Sequence, residues 1–284
     1  MFRAMSFGER LSNATAARGP LCVGIDPHPA LLAEWGLPAD VSGVERFALT
    51  AVAALAGEIA VLKPQSAFFE TYGSAGIAVL ERVITEARAA GALVLLDVKR
   101  GDIGSTMAAY AAAYLADGAP LAADAVTLSP YLGFGSLDPA LELAASTGRG
   151  VFVLAMTSNP EGATVQAAVP TGGSTTRSVA QSMIDGAAAW NAGATPMGSV
   201  GVVIGATVGP AAIEFENLNG PILAPGFGAQ GATVADLRAV FGPELATVLP
   251  ASSRDVLRHG PDQRLLRDAA LRVRDVVVAA AATA

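Results

Sequence analysis

LVLLDVKRGDIGST, residues Leu93–Thr106, opens with four apolar residues and turns abruptly polar at Asp97. Leu93 to Leu96 have the length and composition of a strand buried on both faces. Asp97, Lys99 and Asp102 follow within six residues, and Gly101 and Gly104 interrupt any regular continuation. Residues two apart on a strand point the same way, so Asp97 and Lys99 share a face at the strand's carboxyl end, while Asp102 lies beyond the turn. Charges in that position must be paired or solvated, because burying them alone is costly. Taken by itself the stretch also suits a solvated loop with an incidental ion pair. The surrounding chain decides between the two.

Working outward, similar apolar runs recur on both sides: Leu21–Ile25, Ile59–Leu62, Ala125–Ser129, Val151–Met156, Val200–Ile204, Pro221–Ala224 and Ala246–Leu249. With Leu93–Leu96 they make eight strands. Helical patterns lie at Ser6–Arg18, Val44–Ala56, Gly76–Ala90, Thr106–Ala116, Leu137–Ser146, Ser178–Ala192, Pro210–Asn217 and Ala232–Phe241, and the terminal VVVAAAATA ends a further helix. Eight strands alternating with helices predict an α/β protein, a single (β/α)8 TIM barrel over residues 1–284. A doubly wound open sheet is the alternative, although LCVGIDPHP carries no glycine fingerprint after the first strand. No stretch reads as an interdomain linker. The longest irregular segment, 157–176, stands above the carboxyl end of the fifth strand, where a loop of that length suits an active-site lid.

Composition narrows the class. Hydrophobic residues make up 52% of the 284 and charged residues only 15%, which suits strands buried on both faces. A net charge of −7 disfavours a nucleic-acid surface, which needs a basic stripe. The single cysteine, Cys22, excludes an internal disulfide and a cysteine-rich zinc site, and its place in an apolar run suits core packing. There is neither a signal core at the amino terminus nor an uninterrupted apolar span of membrane length, so a cytoplasmic protein without a membrane partner is expected.

Polar residues gather where the strands end: Asp26, Lys63, Asp97, Lys99, Ser158, Gln230 and Arg254. In a barrel these positions surround one mouth, the face that carries the chemistry of barrel enzymes. After the seventh strand, APGFGAQGA (Ala224–Ala232) is a glycine-rich loop whose amides suit an anion. After the eighth, PASSR sets Arg254 at the start of the last connection; phosphate sites of barrels often lie there. Two carboxylates could instead hold a metal, but Lys99 between Asp97 and Asp102, with Lys63 nearby, opposes a divalent ion, whereas alternating charges neutralise one another. His28 and His259 have no plausible histidine partner, and no GxSxG elbow is present.

With these motifs in place the chain resembles the orotidine 5′-phosphate decarboxylase family, and its length resembles the longer bacterial subclass. DVKRGDIGST is similar to the family signature DxKxxDIxxT, VLKPQSAFFE to its second-strand lysine motif, and APGFGAQGA with PASSR to its phosphate-binding end. The resemblance runs in family order from LCVGIDPHP to PASSR. It implies decarboxylation to uridine 5′-monophosphate without a cofactor or metal. Lys99 then matches the proton donor to C6, Asp97 the carboxylate beside the leaving group, and Lys63 its charge-neutralising neighbour. Asp102 and Thr106 match residues that the second subunit of a homodimer inserts into the site. Asp26 matches a ribose ligand, Ser158 or Thr157 the pyrimidine contact, and Gln230 and Arg254 the phosphate ligands, with Gly226 and Gly228 shaping the loop. Metal-dependent sugar-phosphate decarboxylases and aldolases of the same superfamily share DxKxxD, but their second-strand position is typically acidic where this chain has Lys63. The motifs also admit a non-catalytic phosphate-metabolite sensor and an aldolase using Lys99 as a Schiff base.

Overall fold

Each of the eight apolar runs overlaps a strand in the computed structural model, which describes residues 5–171, 176–208, 213–228 and 231–281. They are β1 Cys22–Ile25, β2 Val61–Pro64, β3 Leu93–Arg100, β4 Ala125–Leu128, β5 Gly150–Met156, β6 Val200–Ile204, β7 Ile222–Pro225 and β8 Val248–Ser252. Every strand pairs in parallel with its neighbour in sequence, and β8 returns to β1, so the sheet closes as a (β/α)8 barrel.

Strand alternation sorts the side chains into two cores. Cys22, Val61, Leu95, Ala125, Phe152, Val203, Leu223 and Leu249 fill the barrel interior. The residues between them, such as Val23, Leu62, Val94 and Val126, face outward against the helices. The helix Val41–Leu55 shows the matching period: Val44, Phe47, Ala48, Ala51, Val52 and Leu55 are buried along one stripe, and Asp40 caps its first turn by accepting from the Ser42 and Gly43 amides. Helix Phe7–Arg18, started by a Ser6–Glu9 capping box, closes the amino-terminal end of the barrel. Its Phe7 ring meets Phe152 edge-on at 6.0 Å, over Gly150, where a Cβ would collide with that ring. The opposite end is left for polar residues. Burial pushes the Cys22 thiol up to about 12, consistent with packing and not reactivity.

Five expectations need correction. The third strand does not end at Leu96 but continues to Arg100, so Asp97 and Lys99 lie within the sheet. The second and the eighth run Val61–Pro64 and Val248–Ser252, later than Ile59–Leu62 and Ala246–Leu249 respectively, so Lys63 too lies within the sheet. Residues 213–217 are not helical, and 209–212 lie outside the described residues. There the Gln181 side chain takes over the pairing of a helical turn, accepting from Glu214 N at 2.8 Å and donating to Glu214 O at 3.0 Å, while Phe215 and Leu218 are buried. The segment 157–176, of which 172–175 lie outside the described residues, is not wholly irregular: it carries a 3-10 turn, Pro160–Gly162, and a short helix, Ala163–Gln166.

Candidate active site

Two residues beyond the apolar interior layer, the inward rows change chemistry: Val61 gives way to Lys63, Leu95 to Asp97 and Ala125 to Thr127. Alternation alone therefore brings these side chains to the carboxyl-terminal mouth. Lys63 Nζ lies 3.0 Å from Asp97 Oδ2, and Lys99 Nζ lies 2.6 Å from Asp97 Oδ1. The result is a chain of three charges, cation–anion–cation. Lys63 and Asp97 are almost fully buried, while the Lys99 side chain is 44% exposed.

Lys99 reaches this place by an irregular route. Its φ is +47°, in the left-handed region. The pairing of β3 with β4 slips between Leu96, opposite Val126, and Arg100, opposite Leu128. Thr127 hydrogen-bonds across the slip: its hydroxyl donates to Asp97 Oδ1 at 2.8 Å and accepts from the amides of Val98 and Lys99, both at 3.1 Å.

The electrostatics follow from these distances. Burial alone would raise the Asp97 carboxyl, but Lys63 and Lys99, with hydrogen bonds from Lys99 and Thr127, outweigh it and hold Asp97 well below the usual carboxylate range. Burial would likewise lower the Lys63 amine; the charges of Asp97 and Asp26 reverse that and raise it above the ordinary lysine value. The site thus holds a fixed carboxylate between two ammonium groups, of which Lys99 is the one open to solvent.

These groups form one wall of a cavity of about 350 Å³. Asp26, Thr157, Ser158, Gly226 and Arg254 also line it, so most of the residues expected at the mouth do meet there. Arg254 has no ionic partner among the described residues. Gly226 and Gly228 have φ of +102° and +81°, and a Cβ at Gly228 would overlap the Asp255 carboxylate, so glycine is required on two counts. Asp102 and Thr106 do not line the cavity; Asp102 instead accepts from the Ile103 amide at 2.8 Å. Gln230 lies outside the described residues. Among the described residues no group of histidine, cysteine or carboxylate side chains is arranged to hold a metal ion, and His28 caps the helix Pro29–Glu34.

The sequence reading missed several residues. Ser252 and Ser253 line the cavity, and their hydroxyls, with Asp26 Oδ1, are buried without a hydrogen-bond partner. Buried polar atoms are rarely left so, and three along the wall between β1 and β8 mark where a polar ligand would be held. Gly24 makes room for them: a Cβ there would stand 2.7 Å from Asp26 Oδ2 and 2.9 Å from Ser253 Cβ. Thr127 was also missed, although its two-residue spacing from Ala125 was the available signal.

Comparison with known proteins agrees with this geometry. The model of the orotidine 5′-phosphate decarboxylase / HUMPS family matches residues 19–268. The chain belongs to this family. A curated relative from Salinispora arenicola, named orotidine 5′-phosphate decarboxylase, is 63% identical over 268 residues, covering 94% of this chain and 95% of its own. One of the same name from Streptomyces coelicolor is 62% identical over 266 residues, with 94% and 95% covered. Among solved structures, a Streptomyces avermitilis protein provisionally named orotidine 5′-phosphate decarboxylase superposes with a TM-score of 0.95 at 59% identity, covering 99% of this chain and 98% of that one. The orotidine monophosphate decarboxylase of Leishmania donovani gives 0.76 at 30% identity, covering 98% and 99%. No helix of the described residues is long and apolar enough to cross a membrane.

Proposed function

We propose that this family member decarboxylates orotidine 5′-phosphate to uridine 5′-monophosphate, with Lys99 as the proton donor. The observation that carries the reading is the chain Lys63–Asp97–Lys99 at 3.0 and 2.6 Å, which lines the cavity with its last member the most exposed. When the bond from C6 to the carboxylate breaks, carbon dioxide leaves and its electron pair stays in an sp² orbital that the ring cannot delocalise. An ammonium group fixed beside that carbon stabilises the developing charge. It then transfers its proton to C6, and the neutral amine recovers a proton from solvent. Asp97 keeps Lys99 in place, and Lys63 keeps Asp97 an anion in a buried position.

The remaining roles follow the chemistry of the cavity wall. Arg254 and the loop of Gly226, Gly228 and Gln230 take the phosphate. Asp26 takes a ribose hydroxyl, and Ser158 or Thr157 takes the pyrimidine. The segment 157–176 acts as a lid over the single barrel domain; its Gln166 side chain pairs with Thr157 N and Oγ1 at 2.9 and 2.8 Å, which supports a coupling of lid position to the pyrimidine end. Phosphate contacts far from C6 then contribute to catalysis by holding the lid closed.

Asp102 and Thr106 act in the site of a second subunit of a homodimer. Their place outside the cavity supports this, as do the exposed apolar side chains of Ile103, Tyr131 and Leu132 at the ends of β3 and β4. No metal is required: a divalent ion at Asp97 would stand against two ammonium groups. Loss of the ultraviolet absorbance of orotidine 5′-phosphate, followed before and after treatment with EDTA, tests the assignment. Equal rates are expected. No turnover would overturn it, and activity lost to EDTA and restored by magnesium would move the chain to the metal-dependent branch.

A further inference from the structure

Between Leu96 and Arg100, three residues of β3 stand against the single β4 residue Thr127, because Leu96 pairs with Val126 and Arg100 with Leu128. A regular parallel ladder would give successive amides of this stretch alternately to main-chain carbonyls of β2 and β4. Here the amides of Val98 and Lys99 both donate to one side-chain oxygen, Thr127 Oγ1, at 3.1 Å. The same hydroxyl gives its proton to Asp97 Oδ1 at 2.8 Å, the oxygen that also receives Lys99 Nζ at 2.6 Å. A hydroxyl has one proton and two lone pairs, and all three are used. Thr127 is 1% exposed and does not line the cavity, so it has no direct access to a substrate there.

We infer that Thr127 is a positioning residue for the reaction, clamping the backbone and the ammonium of Lys99 to one oxygen of Asp97. This rests on the proposed role of Lys99. The left-handed φ of +47° at Lys99 is a conformation a lysine rarely adopts without support. The clamp supplies the support: it satisfies the two amides the irregularity would otherwise orphan, and ties the carboxylate to the same point. No apolar residue can do either, while serine can do both. A threonine methyl adds packing but no part of the clamp.

The test compares Thr127→Val, Thr127→Ala and Thr127→Ser with the parent, using steady-state kinetics on orotidine 5′-phosphate, affinity for uridine 5′-monophosphate, and crystal structures. Misplacing a catalytic group by about 1 Å can cost about a hundredfold in rate. Thr127→Val should therefore lose about that much kcat, with KM and nucleotide affinity little changed and with Lys99 Nζ withdrawn from Asp97. Thr127→Ser should recover to within about tenfold of the parent, because it restores the same hydrogen bonds. If the valine variant does not fold, the alanine variant carries the loss and the serine variant still decides: an equal loss of kcat in serine overturns the inference. So does full kcat in valine or alanine, or a loss that falls on KM and stability alone. Should the parent itself fail to turn over substrate, the functional reading fails, and the crystal structures still settle whether Thr127 holds Lys99.

Discussion

Replacing Lys63 with methionine keeps an unbranched side chain one atom shorter and removes its charge from a buried pair. At the 3.0 Å separation of Lys63 Nζ and Asp97 Oδ2, an effective dielectric of about 20 gives an attraction of about 5–6 kcal/mol. Part of that is offset by the cost of desolvating the ammonium, which methionine does not incur. Breaking a buried pair typically costs about 3–5 kcal/mol because one charge is left uncompensated. Asp97 keeps Lys99 at 2.6 Å and Thr127 at 2.8 Å, so the loss should fall below that range, at about 2–3 kcal/mol. Equilibrium urea unfolding at pH 7 reads it directly.

The pH dependence is a second, independent reading of the same substitution. The native Asp97 carboxyl is held below its ordinary value, so its contribution is full above the unfolded value of about 4 and is lost as pH falls through the depressed native one. The native Lys63 amine is raised, so its contribution is full below the unfolded value of about 10.4 and is lost as pH rises through the higher native one. The stability difference between parent and Lys63→Met should therefore be constant across neutral pH. It should shrink below about pH 4 and again above about pH 10. A difference under about 0.5 kcal/mol at pH 7, the level of an incidental surface pair, would refute the reasoning.

Two further outcomes are expected. Arg254→Ala should weaken binding of uridine 5′-monophosphate by about 1.5–3 kcal/mol, the usual worth of a charge-assisted hydrogen bond, as measured by calorimetry; unchanged kinetics and affinity would remove Arg254 from the phosphate site. Lys99→Ala and Asp102→Ala proteins should each be inactive alone, and after random subunit exchange about a quarter of the parent activity should return, since half the dimers then hold one intact site. No recovery despite verified exchange would place Asp102 within its own subunit.

The barrel was legible because each strand is an apolar run of strand length, and the run is what the interior and the helices both demand. The mouth was legible for a related reason: Asp26, Lys63 and Asp97 stand where such runs stop, and all three line the cavity. What escaped was whatever the runs do not encode. Charge at Asp97 looked like the end of a strand, whereas the strand continues to Arg100, with charged Asp97, Lys99 and Arg100 around a buried Val98. The left-handed backbone of Lys99 has no marker in a sequence that places a lysine there instead of a glycine. Thr127, in the apolar run AVTLS, read as a β-former; only the slip in register shows its hydroxyl meeting two amides and a carboxylate. Ser252 was hidden because the eighth strand was placed too early, which left it in a loop and not in the cavity wall. The segment 213–217 carries a helical pattern, but its backbone is bound by the distant Gln181, a tertiary contact no local pattern announces.

The central claim is that the ammonium of Lys99, held on Asp97, gives its proton to the carbon that carbon dioxide leaves. Turnover of orotidine 5′-phosphate in deuterium oxide by the parent and by Lys99→Ala tests it most directly. The parent should place one deuteron at C6 of each uridine 5′-monophosphate formed, and Lys99→Ala should lose most of its turnover while still binding that product through the phosphate and ribose contacts. Near-normal turnover and labelling in Lys99→Ala would show that another group donates the proton, and the account of this site would fail.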